Sequence, residues 1–404
     1  MKIPFTASAR TAMLIGSENF SNPEGAIIEL VKNTYDADSP CCYILFDGTD
    51  CHYSDIYIID FGCGMDIETI KDCWMQIGTD DKQRHIETTT GRIKSGAKGI
   101  GRFALNRLGE QAIMYTHKES ENAYTWKVNW NDFNSPGKRI NEIMADLEVV
   151  PLTMIQEKLL SLAKRFNISL PDFATGTILN VKQLADSWNE DSLRHLFISL
   201  QDLIPPFDIP SFLQYLYVAG DDNYGKVEAK YYDDFDYKVS AKCNEDGLFV
   251  DVQRNELDIN ALRSEYRGLF ELDDMKRFPY RLEDFEQESY QMHLELNELF
   301  GMRDSKLLEE YASKLGAFRF DFYFVKSSKS DISSEKSDAK YPYRQFSPTH
   351  RRQWLKKNIG VKIYRDKFRV RPYGENGDDW LHLGDRYSQN PIGAGQRMGG
   401  YHIR

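Results

Sequence analysis

Apolar positions recur at helical spacing just after the N-terminal stretch. Ile27, Leu30, Val31 and Thr34 fall on one face of a helix, and Glu29, Asn33 and Asp36 fall together on another. Asn22-Pro23-Glu24 supplies the start signal, with an Asn cap, Pro at the first helical position and an acid in the first turn. The pattern stops at Asp38-Ser39-Pro40. Residues 42–46 and 55–59 are short β-rich runs bounded by turn residues and predict strands. Residues 66–76 predict a second helix, capped by Asp66 and closed by Gly78. Residues 79–95 are polar and without period, which predicts a mobile loop. A third helix follows a glycine-rich turn and ends at Gly109. Strands are expected near 111–117, 123–130 and 175–181, and a helix over 186–203.

That helix is stopped by Pro205-Pro206, which places a domain boundary between 1–206 and 207–404. Beyond it, strands are predicted over 211–218, 226–231 and 318–325, with an acidic helical stretch over 282–314. Residues 327–340 are Ser, Lys, Asp and Glu with almost nothing to bury, the composition of a disordered loop. Residues 360–373 alternate like a hairpin with Asp366-Lys367 at its turn. No internal repeat is visible.

Composition narrows the class. The 404 residues are 41% hydrophobic and 28% charged, a globular balance with room for two ordinary domains. A net charge of −11 excludes a chain-wide basic footprint for nucleic acid. One local basic run, Arg344, His350, Arg351, Arg352, Lys356 and Lys357, carries Phe346 and Trp354 between its charges. It reads either as a contact for a nucleic-acid backbone or as a solvated face. No window is apolar for long enough to cross a bilayer, and residues 1–15 lack the pattern of a signal peptide. The expectation is a cytoplasmic protein with no membrane partner. Six cysteines show neither paired spacing nor companion His ligands, which fits reduced thiols.

Three separated motifs carry the chemistry. The first is Glu29-Leu-Val-Lys-Asn33-Thr-Tyr-Asp36-Ala37. A carboxylate one turn from a carboxamide suits ATP hydrolysis, because the Glu can deprotonate a water and the Asn oxygen can bind Mg²⁺. Taken alone it is also an amphipathic helix with a polar outer face. The second is Asp60-Phe-Gly62-Cys-Gly64-Met65 after a strand, where a carboxylate can accept the adenine amine and the glycines admit the base. Alone it is also a tight turn. The third is Lys94-Ser95-Gly96-Ala97-Lys98-Gly99-Ile100-Gly101-Arg102 running into a helix, a backbone suited to phosphate. It is neither a Walker motif nor a Rossmann fingerprint.

In this order and spacing, with a later Gly176-Thr177 on a strand, the motifs resemble the GHKL superfamily of gyrase, heat-shock chaperone, histidine kinase and MutL ATPases. The resemblance covers roughly 8–181. It implies an α+β fold: a two-layer α/β sandwich (Bergerat) ATPase domain, helices over one face of a mixed sheet, then a smaller α/β transducer-like domain. It implies Glu29 as general base and Asn33 as the magnesium ligand. Asp36 and Ala37 would lie near ATP, Asp60 would hold adenine with support from Thr177, and Gly62, Gly64 and Met65 would shape the base pocket. Gly96 to Gly101 would wrap the phosphates as part of a lid, with Lys94, Ser95 and Arg102 also at the nucleotide and Thr79 and Lys82 as further lid residues.

No His precedes the first helix to act as a kinase phosphoacceptor. The layout resembles the branch of gyrase, MutL, heat-shock chaperone and MORC-like proteins, and within it is closer to MORC-like bacterial ATPases than to gyrase. That resemblance implies an ATP-dependent homodimer closing as a clamp, with DNA and further protein subunits as partners, in genome defence (antiviral defence included) or chromosome handling. A chaperone-like ATPase and a nucleotide-binding module without turnover are the alternatives. Residues 1–20 would form the exchanged arm, and the γ-phosphate-sensing Lys would be Lys362, Lys367 or a residue past the C-terminus. Residues 389–404 stop on what reads as the start of a strand, the expectation for a chain that continues.

Overall fold

The computed structural model describes residues 6–14 except 12, then 20, 22–49, 52–77, 87–94, 101–205, 211–229, 233–295 except 245 and 288, then 310, 314, 316–325, and 344–382 except 345, 359, 376 and 377. By contact density the chain forms two units. The first is Met1–Tyr231 with Lys362–Tyr373, and the second is Tyr232–Val361 with Gly374–Arg404. The first unit thus runs past the boundary expected at 206, taking in the strand that follows and a distant hairpin.

In the first unit the helix α1 (Pro23–Asp36) begins as its sequence demands, with the Asn22 side chain accepting the Gly25 N–H at 2.7 Å. It buries Ile27, Ile28, Leu30 and Val31, each worth about 1.5–3 kcal/mol of burial. Strands β1 (Cys41–Thr49) and β2 (His52–Asp60) form an antiparallel hairpin. The helical segment α2 runs Ile67–Thr69 and continues as a π-type turn over Ile70–Trp74. Helix α3 (Phe103–Leu108) leads into β3 (Gly109–His117), β4 (Ala123–Asn129) and β5 (Asp146–Val150). Helix α4 (Leu152–Phe166), β6 (Gly176–Leu184), α5 (Glu190–Gln201), β7 (Leu213–Val218) and β8 (Lys226–Val227) follow.

These strands make one sheet in the order β5-β4-β3-β6-β2-β1-β7-β8, antiparallel except where β7 runs beside β1. One face packs on α1, α3 and α5 through residues such as Ile58, Met114, Val181, Leu196 and Leu216. The other face is covered as well: Ile155, Leu159 and Leu162 of α4 pack on Tyr57, Ile59 and Ile178. The sandwich expected with helices on one face therefore gains a helix on the second. That helix escaped the sequence reading, although Ile155, Leu159 and Leu162 recur at i, i+4 and i+7, and Asn167 ends it in the left-handed conformation.

The hairpin of β13 (Ile363–Arg365) and β14 (Phe368–Val370) forms where its alternation predicts. Asp366 and Lys367 have φ of 48° and 64°, as a two-residue type I′ turn requires. Phe368 is buried in the first unit's core, and Lys362 and Arg369 pair with Asp202 at the end of α5.

The second unit holds a four-stranded antiparallel sheet in the order β11-β10-β9-β12: β9 (Tyr237–Asn244), β10 (Gly247–Arg254), β11 (Ser289–Leu294) and β12 (Phe318–Phe324). The stretch expected as helix over 282–314 is helical at Leu282–Glu286 and then turns to strand at β11. Tyr290 of β11 packs against the apolar cluster of Ala241, Val250 and Val252, so sheet burial overrides helical propensity. Most of the remainder of that stretch, the 327–340 loop, most of the N-terminal arm and the C-terminal tail lie outside the described residues.

The basic run of the second unit is also corrected. On α6 (Pro348–Lys357) Arg351 is fully buried and pairs with Asp234 and Asp236 at 2.8 Å. Arg344 also pairs with Asp234, at 2.8 Å. His350, Arg352 and Lys356 remain exposed.

Candidate nucleotide site

The separated motifs meet at the C-terminal half of α1. Helical spacing puts Glu29, Asn33 and Asp36 on one face, and the helix ends as Ala37 donates back to the Asn33 carbonyl at 3.0 Å. The carbonyl of Ala37 then accepts the N–H of Cys63 at 2.9 Å. Gly62 stands so close that a β-carbon on it would lie 2.2 Å from that carbonyl oxygen. The second motif is thus fastened to the end of the first.

Asp60, the last residue of β2, is buried at 6% exposure. Its carboxylate accepts the Gly62 N–H at 2.9 Å, and its strand partner across the ladder is Thr177. Burial pushes its carboxyl up to about 7, against the lowering effect of the Gly62 and Thr177 backbone donors. Gly176 has φ of 134° and backs directly on Asp60, where a β-carbon would sit 2.3 Å from the Asp60 carbonyl oxygen. Gly64 has φ of 63°, and its β-carbon would strike the His117 carbonyl at 1.9 Å. The Met65 N–H donates to the Thr116 hydroxyl at 2.9 Å.

Thr116 was missed by the sequence reading. Fully buried on β3, it donates to the Gly176 carbonyl at 3.0 Å and lies 3.1 Å from the Thr177 hydroxyl, tying Met65, Gly176 and Thr177 together. Its signal was a polar residue at an inward position, following Ala112 and Met114 along the strand.

The third motif reaches the site through Gly101, whose missing β-carbon would lie 2.7 Å from the Asn33 amide nitrogen. Helix α3 starts two residues later, its Ala104 and Leu105 N–H groups donating to the carbonyls of Gly101 and Arg102 at 3.0 Å, so the Asn33 carboxamide meets the backbone just ahead of the helix. Glu29 is half-buried with Lys32 at 3.3 Å. Arg102, expected among the nucleotide-binding residues, has its side chain engaged elsewhere. Its buried guanidinium is occupied by the carbonyls of Cys73, Trp74 and Gln76, closing the π-type turn, and burial lowers it to about 10. Thr79, Lys82, Ser95, Gly96, Ala97, Lys98, Gly99 and Ile100 lie outside the described residues. Lys94 is half-buried at the end of the described segment 87–94.

That segment is held rather than mobile. Glu87 and Ile93 form a β-bridge around a turn, and the Asp38 carboxylate accepts the Thr89 hydroxyl at 2.7 Å and the Thr90 N–H at 3.1 Å. Arg92 donates to the Ser39 carbonyl at 2.8 Å.

A buried carboxyl at the strand end, glycines where side chains would intrude, and an Asn–Gly contact just ahead of a helix thus lie together at one end of α1. Residues 20–157 match the family model described as histidine kinase-, DNA gyrase B-, and HSP90-like ATPase. That match supports GHKL membership. A GHKL-type domain of this kind supports ATP binding and ATPase activity. Comparison with curated proteins gives no match. Among the described residues, no helix is long and apolar enough to cross a membrane.

Proposed function

We propose that the chain is a Mg²⁺-dependent ATPase in which Glu29 is the general base. The observation that carries this reading is the convergence of Asn33, Ala37, Asp60 and Gly101 on one end of α1. Asp60 accepts the adenine amine, with Thr177 and Thr116 holding its surroundings. Gly62, Gly64 and Met65 form the wall of the base pocket, and Asp36 and Ala37 stand between base and phosphates. Asn33 and Gly101 bind at the phosphate end, together with Lys94 and residues 95–100; Thr79 and Lys82 belong to the same lid. Asn33 would hold Mg²⁺, which would neutralise phosphate charge there. Glu29 takes the proton of the attacking water.

The same reading gives a GHKL clamp in which ATP binding drives homodimerisation, with the second unit as transducer and a layout like that of MORC proteins. Of the candidate sensing lysines, Lys362 is drawn to Asp202 at 3.4 Å. Lys367 stands at the tip of the hairpin turn, and both remain candidates for the sensing role. DNA is the proposed substrate, with exposed His350, Arg352 and Lys356 facing its phosphates, in a cytoplasmic genome-defence or chromosome role. The test is ATP turnover with Mg²⁺, with and without duplex DNA, for wild type and Glu29→Ala. Turnover lost in Glu29→Ala with ATP still bound supports the reading, and equal turnover in both proteins overturns it.

A further inference from the structure

We infer that Asp366, at the tip of the β13–β14 turn, is a positioning residue for ATP turnover, setting both Tyr35 on α1 and Ile93 before Lys94. This rests on the ATPase reading above.

Tyr35 lies between Asn33 and Asp36 in sequence and is 1% exposed. Its hydroxyl donates to the Asp366 carbonyl at 3.2 Å, and its ring stacks on Phe368 with centroids 4.4 Å apart and planes at 13°. The Arg92 guanidinium lies 4.8 Å from the same ring centroid. The Asp366 carboxylate accepts the Ile93 N–H at 3.0 Å. One residue therefore binds two edges of the nucleotide site by separate atoms. Its carbonyl fixes the side chain beside Asn33 and Asp36. Its carboxylate fixes the backbone one residue before Lys94.

Tyr35 and Asp366 are 331 residues apart in sequence. The hairpin belongs to the first unit, yet residues 232–361 of the second unit are threaded between it and the rest of that unit. A chain cut at 206 or at 231 would keep every sequence motif of the ATPase and lose this support.

The hairpin has a separate packing role through Phe368, which is 3% exposed and also meets Phe212 edge-on at 5.8 Å. Asp366 itself is exposed, and an exposed hydrogen bond adds little to stability. The two roles can thus be separated. Steady-state ATP turnover and Tm are measured on the full chain for wild type, Glu29→Ala, Asp366→Ala, Asp366→Asn and Phe368→Ala. Asp366→Ala is expected to lower kcat/KM about tenfold, mostly through KM, since it releases the backbone at Ile93 beside Lys94. Its Tm should stay within about 3 °C of wild type. Asp366→Asn keeps an oxygen acceptor for Ile93 and should recover most of the loss. Phe368→Ala should lower Tm well beyond that margin. Wild-type kcat/KM in Asp366→Ala, a Tm loss matching that of Phe368→Ala, or no rescue by Asn would overturn the inference while Glu29→Ala still abolishes turnover. No turnover in wild type, or undiminished turnover in Glu29→Ala, would overturn the ATPase reading and this inference with it.

Discussion

Gly101 and Asn33 are in such close contact that a β-carbon added to the glycine would lie 2.7 Å from the amide nitrogen of the asparagine. The neighbour is the far end of a flexible side chain, so Gly101→Ala is accommodated by swinging the amide aside rather than by moving backbone. Stability should change little, by under about 1 kcal/mol. The displaced amide is the one assigned to Mg²⁺, and a shift on the order of 1 Å at such a site costs up to about a hundredfold. Thermal melts alongside turnover titrated with Mg²⁺ check this. A variant with normal kcat and normal Mg²⁺ dependence would refute the assignment of Asn33.

Gly64→Ala should behave in the opposite way. Its φ of 63° penalises any L side chain, and the obstruction is the backbone carbonyl of His117 at 1.9 Å. Strain of this kind costs about 1–3 kcal/mol before the clash is counted. The expected outcome is a large drop in Tm, read by calorimetry without nucleotide.

The Asp60 carboxyl, raised to about 7 by burial, predicts opposed effects on stability and binding. A carboxyl raised on folding binds more protons folded than unfolded between its ordinary value and about 7. Its contribution to stability is therefore present at low pH and declines as pH rises toward 7. With Asp60 as the proposed ionised acceptor of the adenine amine, ATP affinity should fall as pH drops below about 7. At pH 8, Asp60→Asn should leave the apo protein at least as stable as wild type while weakening ATP binding at least tenfold. Calorimetry with and without ATP across pH 5.5–8.5 measures both, and an affinity indifferent to pH would count against an ionised Asp60 at adenine.

The fold was legible where one chemical signal ruled. Asn22-Pro23-Glu24 fixed the start of α1, and Asp366-Lys367 marked a turn that closes in the left-handed region. The acid, amide and glycine spacings that pointed to ATP are brought together by α1, β2 and β6. What could not be read were effects of distant partners. Ser289–Leu294 looked helical until pairing with β10 made it a strand. Arg351 looked like part of a surface charge run until Asp234 and Asp236, more than a hundred residues earlier, drew it inside. Arg102 sits in a phosphate-like motif, but the carbonyls that occupy it come from the end of another helix. Thr116 carries no motif, and its role follows only from facing Met65 and Gly176.

Thr116→Val tests that last point. It removes the acceptor for the Met65 N–H and the donor to the Gly176 carbonyl while keeping volume nearly constant. An unsatisfied buried backbone group costs about 1–3 kcal/mol. The loss falls on the wall beside Asp60, so base selectivity should weaken: competition of GTP against ATP should improve relative to wild type. Unchanged selectivity with lowered Tm would reduce Thr116 to a packing role.

The two arginines that follow His350 separate a buried structural charge from an exposed one, which the clamp reading assigns to DNA. Arg351 is fully buried and bridges Asp234 and Asp236, the latter 4% exposed. Arg351→Ala strands a buried carboxylate, and breaking a buried pair from one side costs about 3–5 kcal/mol. Arg352 and Lys356 are exposed on the same helix. Their double alanine variant should keep wild-type Tm and lose duplex-DNA affinity, with the slope of log affinity on log salt shallower by about two, one for each phosphate contact removed. A filter-binding titration at several salt concentrations reads that slope. DNA binding that survives the double variant with an unchanged slope would remove α6 from the interface.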